Sequence, residues 1–223
     1  MATLPTRDLK IGKVIDKTLG VLELNAVPTL IFVLVLTAVS LPITYFSVGS
    51  TAPMQVLGGQ LLQNVVAMVC GYFLLVAMVR RTGLQSRMGD DVFLPYIGLS
   101  LLATLAVMLG LIVLILPGLF LMIRWSIAQP LLVARGEGVM ASLGESWDRT
   151  RGNEFSIFVA ALALLVPLIV VIIGAGALFE KANLFGMAIT QLATSGVSAA
   201  LLAMGVALYG MIVGVGEASA APA

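Results

Sequence analysis

The sequence contains no histidine and a single cysteine, Cys70. Without histidine the chain cannot form Ser-His or Cys-His nucleophile systems, histidine-ligated metal or haem sites, or histidine acid–base catalysis. One cysteine also excludes an intramolecular disulfide, a CxxC redox motif and a cysteine-ligated zinc cluster. Cys70 lies in an apolar run, so we interpret it as a packing residue.

Charge is also scarce, because only 10% of the 223 residues are charged and 60% are hydrophobic. Soluble domains carry roughly 25% charged residues, so this chain lies far outside the globular norm. The net charge of +1 provides no concentrated basic surface, and we expect no nucleic-acid partner. Gly89-Asp90-Asp91 places two carboxylates together without accompanying metal ligands, which is typical of a turn. We therefore expect no cofactor, no metal site and no enzymatic activity.

Long uncharged runs dominate the chain, and no charged side chain occurs between Leu24 and Val79. An apolar run of about 18 or more residues predicts a transmembrane helix. We predict an all-α polytopic membrane domain over residues 1–216, followed by a disordered tail at 217–223. A tight Pro117-Gly118 turn is predicted between spans three and four, and Pro42 is predicted to kink or end span one. The six predicted spans lie at about 24–46, 56–79, 92–116, 119–134, 153–178 and 184–215.

Two amphipathic segments, 8–23 and 139–151, are predicted to be cytoplasmic interfacial helices. In the first, Lys10, Lys13 and Lys17 lie opposite an apolar face and would point toward anionic lipid headgroups. The alternative is a helix of the soluble kind, packed on a protein partner. In the second, Glu145 and Arg149 are spaced to form an ion pair. The headgroup-facing residues predicted there are Trp147, Arg149 and Arg151.

The distribution of basic residues predicts the orientation in the membrane. Ten of them fall on one side of the six-span arrangement, against only Lys181 on the other, so both termini are predicted to be cytoplasmic. The ten are Arg7, Lys10, Lys13, Lys17, Arg80, Arg81, Arg87, Arg135, Arg149 and Arg151.

Arg124 is the one basic residue predicted to lie inside the membrane, roughly 9 Å from the outer end of its helix. An arginine at the centre of a membrane helix costs at least about 2.5–3.5 kcal/mol on insertion scales, so it requires a partner. One interpretation is structural, with Arg124 snorkelling outward or binding carbonyls freed near Pro117. The other is that it binds a lipid phosphate or another anion.

Polar side chains recur at a similar depth on other predicted spans. Together with Arg124, they are our candidate ligand-binding residues for a shared cavity. Ordinary interhelical hydrogen bonding explains the same pattern and is the alternative. The candidates are Gln60, Gln63 and Asn64 on span two, with Gln191 and Thr194 on span six. Ser195 and Ser198 share the face of span six, and Ser40 and Thr44 lie on span one.

Two further patterns concern packing and internal symmetry. Small residues on span six, such as Gly196, Ala200 and Ala203, favour close helix packing, within the fold or in a homo-oligomer. The pattern D-[K/R]-T-x-G occurs at residues 16–20 and again at 148–152, each time after an amphipathic helix and before a span. This echo is consistent with a parallel internal repeat or with coincidental interfacial chemistry.

Residues 116–158 resemble the integral-membrane family named after the membrane domain of glycerophosphoryl diester phosphodiesterase. The resemblance implies a six-helix bacterial inner-membrane protein concerned with lipids. It does not imply phosphodiesterase activity, because no hydrophilic segment here is long enough to form the catalytic domain that can accompany that family. The residues that carry it are Pro117-Gly118, Arg124-Trp125, Pro130, Glu137-Gly138 and Ser146-Trp147-Asp148-Arg149-Thr150-Arg151-Gly152 before Phe155.

Two functions are therefore expected from the sequence. The first is a non-enzymatic inner-membrane protein that binds or moves a lipid or small anionic molecule. The second is a structural or scaffold protein whose interfacial helices recruit partners or organise the bilayer. Membrane lipids are the expected partners in both.

Overall fold

A computed structural model describes residues 9–48, 52–85, 92–179 and 183–213. Within these ranges the chain forms nine α-helices and no strand. Several predictions fall outside the described residues, namely those on Arg7, Arg87, Gly89-Asp90-Asp91, Lys181 and the tail at 217–223.

Six segments are long and apolar enough to cross a membrane, which confirms the all-α, six-span prediction. They are α2, α3, α4, α5 with α6 as one interrupted span, α8 and α9. The helices are α1 (Ile11–Leu24), α2 (Ala26–Ser47), α3 (Pro53–Arg81), α4 (Phe93–Val113), α5 (Ile115–Arg124), α6 (Ala128–Arg135), α7 (Val139–Arg149), α8 (Glu154–Leu178) and α9 (Leu184–Ile212).

The spans form three hairpins, α2–α3, α4–α5 and α8–α9, whose connections lie at the same end of the bundle. We call this the open end, and it contains residues 48, 114 and 179. Gln191 Nε2 donates to Thr44 Oγ1 at 2.9 Å and so ties α9 to α2 near this end. The opposite end, which we call the core end, contains Arg81, Arg135 and Ile212. There the α9 residue Gly210 lies against the Leu84 side chain that follows α3.

The buried core lies almost entirely at the core end. Helix α6 is at its centre, and Leu131, Leu132 and Ala134 are fully buried among α3, α4, α7 and α9. Lipid is as apolar as these side chains, so close packing rather than water exclusion holds membrane helices together. Small residues on α9 permit that packing, and Ala199 and Ala203 are fully buried within the chain.

The predicted Pro117-Gly118 turn is wrong, because both residues lie inside α5. The chain reverses at Leu114, which has the extended conformation φ −159°, ψ 139° between α4 and α5. Pro117 is tolerated because it lies in the first turn of α5, where its missing N–H removes no helical hydrogen bond. Gly118 instead provides close contact, since a Cβ there would lie 2.7 Å from the backbone nitrogen of Leu111.

The fourth span is not a single helix, contrary to the prediction. Helix α5 ends at Arg124, residues 125–127 form a short link, and α6 begins at Ala128. The cause is tertiary, because the carbonyl of Arg124 accepts a hydrogen bond from α7, as described below. Of the two outcomes predicted for Pro42, an end to span one is wrong, since α2 continues to Ser47, and a kink stays a prediction.

Helix α1 packs its apolar face on α9 and α8 of its own chain. Val14, Thr18 and Val21 are buried, and the backbone N–H of Leu9 donates to Asn153 Oδ1 at 3.0 Å. The apolar face of α1 is therefore covered by its own chain, whereas the alternative drawn from the sequence was packing on a protein partner. The opposite, lysine-bearing face is exposed.

The repeated D-[K/R]-T-x-G pattern has a structural counterpart. Helices α1–α3 and α7–α9 each consist of a short amphipathic helix followed by a hairpin whose second helix has 29 residues. Thr18 and Thr150, the threonines of the two D-[K/R]-T-x-G segments, are both buried. Each hydroxyl donates to the carbonyl four residues earlier at 2.8 Å. These parallels are consistent with the internal repeat.

Candidate functional site

Arg124 lies at the end of α5 with its guanidinium enclosed by its own chain, and the residue is 7% exposed. Its Nη2 forms an ion pair with Glu154 Oε1 at 2.8 Å, and its Nη1 donates to the Trp147 carbonyl at 3.0 Å. The rings of Phe120 and Trp147 lie about it with centroids 5.0 and 5.1 Å from Cζ, within cation–π range.

The backbone of Arg124 is held as firmly as its side chain. Ser146 Oγ donates to the Arg124 carbonyl at 2.7 Å, and Thr150 Oγ1, whose proton goes to the closer Ser146 carbonyl at 2.8 Å, lies 3.2 Å from the Arg124 carbonyl. A helix leaves its last carbonyls without intrahelical partners, so the Ser146 hydroxyl satisfies a group that the break after α5 exposes. The Ser146–Gly152 segment therefore caps α5 as well as receiving the Arg124 side chain.

This arrangement favours the structural interpretation of Arg124. A charged group inside a membrane protein needs a compensating partner, and Glu154 at the start of α8 supplies it. The hydrogen-bonded carbonyl belongs to Trp147 and not to a residue near Pro117. Sequence reasoning did not identify Glu154. The available signal was an acidic residue directly before the apolar run of α8, where a helix N-terminus also favours negative charge.

The other predicted headgroup residues divide into two groups. Arg149 pairs with Glu145 at 3.2 Å, as its spacing predicted, and Glu145 also binds Arg135 at 2.9 Å. Helix α7 is thereby tied to the end of α6, and Trp147 packs on Phe120 and Arg124. Arg151 is exposed, and so are Lys10, directly before α1, and Lys13 and Lys17 within it.

A second candidate region lies next to the buried core and extends toward the open end of the bundle. A Cβ added to Gly71 of α3 would lie 3.3 Å from the Tyr96 hydroxyl of α4 and 3.8 Å from Leu202 of α9. A Cβ added to Gly205 of α9 would lie 2.9 Å from the carbonyl of Ser126, in the link between α5 and α6. These two glycines therefore mark the faces of α3 and α9 that point toward the α4–α5–α6 segment.

Toward the open end, the same helix faces carry polar side chains. Residues seven and eleven positions apart on an α-helix lie within about 20° of each other around its axis. On α3 these positions before Gly71 are Asn64 and Gln60, and both are exposed. On α9 the positions before Gly205 are Ser198, which is half-buried, and Thr194, which is exposed.

The α4–α5 hairpin does not pack extensively on α9 in the described part of the chain. Its two helices contact each other closely. Large side chains such as Leu105, Met108 and Leu109 are more than half exposed. We call the side of the bundle that carries the polar faces of α3 and α9, next to the α4–α5 hairpin, the lateral cleft. Near its core end, Gln129 Nε2 donates to Ser100 Oγ at 3.3 Å.

The structure therefore brings some of the predicted ligand-binding residues together and separates others. Gln60, Asn64 and Thr194 face the lateral cleft, whereas Arg124 is enclosed by Glu154 and the α7 segment. Gln63 lies about 80° further around α3 from Gly71. Gln191 bonds Thr44 instead, which is the ordinary interhelical hydrogen bonding given as the alternative.

Comparisons of the chain with protein-family models, curated proteins and solved structures find no match. The described residues also contain no group of three or more His, Cys, Asp or Glu side chains that could hold a metal ion.

Proposed function

We propose that this chain is a non-enzymatic, multi-pass membrane protein that binds a lipid in the lateral cleft. The observation that carries the proposal is the exposure of Gln60 and Asn64 on an apolar span. Neither side chain makes a hydrogen bond with another described residue. An amide facing hydrocarbon without a partner costs roughly 4–8 kcal/mol on a cyclohexane scale, so a bound polar group would satisfy it.

The chemistry of the residues around the cleft suits a lipid. Its hairpin wall is apolar, as acyl chains require, while its α3 and α9 walls carry amides and hydroxyls that suit a headgroup or an ester. The resemblance to the phosphodiesterase-associated membrane family, which we retain as a proposal, also points toward lipids. We leave Arg124 out of this site, because Glu154 and the Trp147 carbonyl bind two of its three guanidinium nitrogens, while the buried Nε has no partner among the described residues.

The proposal is tested by lipid retention in the Gln60→Leu/Asn64→Leu double variant. We expect native mass spectrometry of detergent-purified protein to show at least a fivefold loss of co-purified lipid, with no loss of thermal stability. Gln191→Leu is the matched control, because it removes an amide that bonds Thr44. It should keep the lipid and lose about 0.6 kcal/mol of stability, the average for such a membrane hydrogen bond. Undiminished lipid in the double variant would contradict the proposal.

A scaffold role is the second candidate, and the exposed lysine face of α1 favours it. Lys10, Lys13 and Lys17 all project from the surface that α1 does not bury on α9. Such a face suits anionic lipid headgroups or an acidic partner protein. Under this alternative, removal of the cleft amides would leave lipid retention unchanged.

We also propose that the chain lies in a bacterial inner membrane, with both termini cytoplasmic and the core end toward the cytoplasm. Arg80, Arg81 and Arg135 all lie at the core end, which agrees with the preference of basic residues for the cytoplasmic side. A homo-oligomer through the small residues of α9 remains a prediction, with Ala199 and Ala203 already buried within one chain.

Cysteine labelling tests this orientation. In a Cys70→Ser background, Val48→Cys at the open end should react with a membrane-impermeant maleimide in intact spheroplasts. Gln85→Cys, exposed at the core end, should react only after permeabilisation. The reverse pattern would overturn the orientation while leaving the six-span fold intact.

A further inference from the structure

We infer that the lateral cleft selects a lipid whose headgroup is uncharged and donates hydrogen bonds through a free hydroxyl. The inference rests on the proposed lipid-binding function and names the chemical class of the ligand. It excludes ordinary anionic phospholipids as the preferred ligand, although basic residues lie elsewhere on the same chain.

The first argument is the hydrogen-bonding state of the α9 hydroxyls. Thr194 Oγ1 donates to the Thr190 carbonyl at 2.8 Å, and Ser198 Oγ donates to the Thr194 carbonyl at 2.9 Å. A hydroxyl has one proton to donate, and in both residues that proton is used within the helix. What these oxygens offer to the cleft is therefore lone pairs. A ligand that binds them must be a donor. An ionised phosphodiester group has no proton to give, so a phospholipid can donate here only through a further hydroxyl or ammonium in its headgroup.

The second argument concerns charge. The polar side chains that line the cleft are neutral amides and hydroxyls, and the nearest arginines on the α5–α6 segment are already paired. Arg124 is bound to Glu154, while Arg135 is bound to Glu145 and, at 3.3 Å, to Glu137. Bringing an anion into a low-dielectric site without a compensating charge costs several kcal/mol. Binding an anionic phospholipid in the cleft would incur this free-energy cost, and binding a neutral lipid would not.

The third argument is the complementary chemistry of the α3 wall. Gln60 and Asn64 each carry an NH₂ donor and a carbonyl acceptor, so together they can bind a group that both donates and accepts. A hydroxyl does both, and an ester carbonyl next to it can accept from the amide NH₂. A diacylglycerol or another lipid with a free alcohol has these groups within one small headgroup.

The inference is tested with the full chain reconstituted in phosphatidylcholine vesicles. The probe is a diacylglycerol carrying a photoreactive diazirine in one acyl chain, and labelled peptides are mapped by mass spectrometry. Three unlabelled competitors share the same acyl chains: diacylglycerol, its 3-acetate, which lacks the hydroxyl proton, and phosphatidylmethanol, which adds a negative charge and lacks a hydroxyl. We expect labelling of α3 and α9 peptides, and competition by diacylglycerol at least tenfold more effective than by either other lipid.

A matched pair of double variants isolates the α9 hydroxyls. Thr194→Val/Ser198→Ala removes the acceptor oxygens from the cleft and should reduce labelling at least fivefold. Ser47→Ala/Thr82→Val removes hydroxyls that make the same kind of bond to carbonyls four residues earlier, at 2.7 and 2.8 Å, outside the cleft. This control should label as the wild type does.

The possible outcomes separate the inference from the function on which it rests. Equal or better competition by phosphatidylmethanol or by the 3-acetate would overturn the ligand class while leaving a lipid-binding cleft. Undiminished labelling of Thr194→Val/Ser198→Ala would overturn the role of the acceptor oxygens in the same way. Failure of every lipid to protect α3 and α9 peptides from labelling would overturn the lipid-binding function itself.

Discussion

A Glu154→Leu variant is expected to lose about 3 kcal/mol of stability and to melt roughly 6–12 °C below the wild type in detergent. Removing one partner of a buried ion pair leaves the other charge without compensation, and this costs more than the pair contributes. The Arg124 side chain is 9% exposed and that of Glu154 is 29% exposed. Loss of the carboxylate therefore leaves the more deeply buried charge without a partner. Glu154→Leu should accordingly reduce stability more than Arg124→Leu does.

The double variant Arg124→Leu/Glu154→Leu should recover at least half of this loss. It removes both charges together, and apolar replacement of a buried pair is often neutral or stabilising. Full recovery is not expected, because the bond to the Trp147 carbonyl and the cation–π contacts disappear with the arginine. Glu23→Leu, at an exposed carboxylate near the end of α1, is the control and should shift stability by less than about 0.5 kcal/mol.

Melting curves of the four variants, followed by intrinsic fluorescence, measure these differences. A double variant no more stable than Glu154→Leu would show that the charge on Arg124 is not the source of the loss. Cleft lipid should be retained by Arg124→Leu. Its loss there, together with wild-type stability, would return the arginine to the role of a ligand-binding residue.

Adding one methyl group at Gly118 is the second change for which we expect a large effect. Gly118→Ala should destabilise the chain by about 2 kcal/mol and lower its melting temperature by roughly 4–8 °C. Its Cβ would lie 2.7 Å from the backbone nitrogen of Leu111, and backbone cannot move aside as a flexible side chain can. Gly110 makes the reciprocal approach, since its Cβ would lie 2.9 Å from the Cα of Gly118.

Gly174→Ala is the matched control, because it makes the same substitution inside α8 where no neighbouring atom lies within 4 Å of the added Cβ. Alanine is favoured over glycine inside a helix by roughly 0.5–1 kcal/mol, so this variant should be slightly more stable than the wild type. The two substitutions are thus expected to shift the melting temperature in opposite directions. Shifts of the same sign and size would mean that the α4–α5 contact is not backbone-to-backbone.

Local sequence features predicted the spans and the two short helices α1 and α7 well. Uncharged runs placed all six spans, because hydrocarbon excludes charge wherever the neighbouring helices lie. Spacing alone predicted the Glu145–Arg149 pair, since residues four apart share a face of any helix. The Gln191–Thr44 hydrogen bond is an example of a contact that local sequence features do not predict. The sequence identified both residues as polar sites on spans, but only the packing of α9 on α2 assigned them to each other.

The predictions that were wrong involve backbone geometry decided by contacts distant in sequence. Pro117-Gly118 has the composition of a turn, yet the chain turns at Leu114, because Gly118 is needed where α5 touches α4. The end of α5 at Arg124 depends on a hydroxyl more than twenty residues later. No local pattern contains that information.

By itself, then, the sequence determined the class of protein, the number of spans and the amphipathic character of α1 and α7, because each depends on the polarity of consecutive residues. The tertiary structure decided which polar groups neutralise one another and which remain available. In the folded chain Arg124 forms an ion pair with Glu154 and Gln191 donates a hydrogen bond to Thr44, whereas Gln60 and Asn64 are exposed. These pairings depend on distances between side chains far apart in the chain, which arise only when the helices pack.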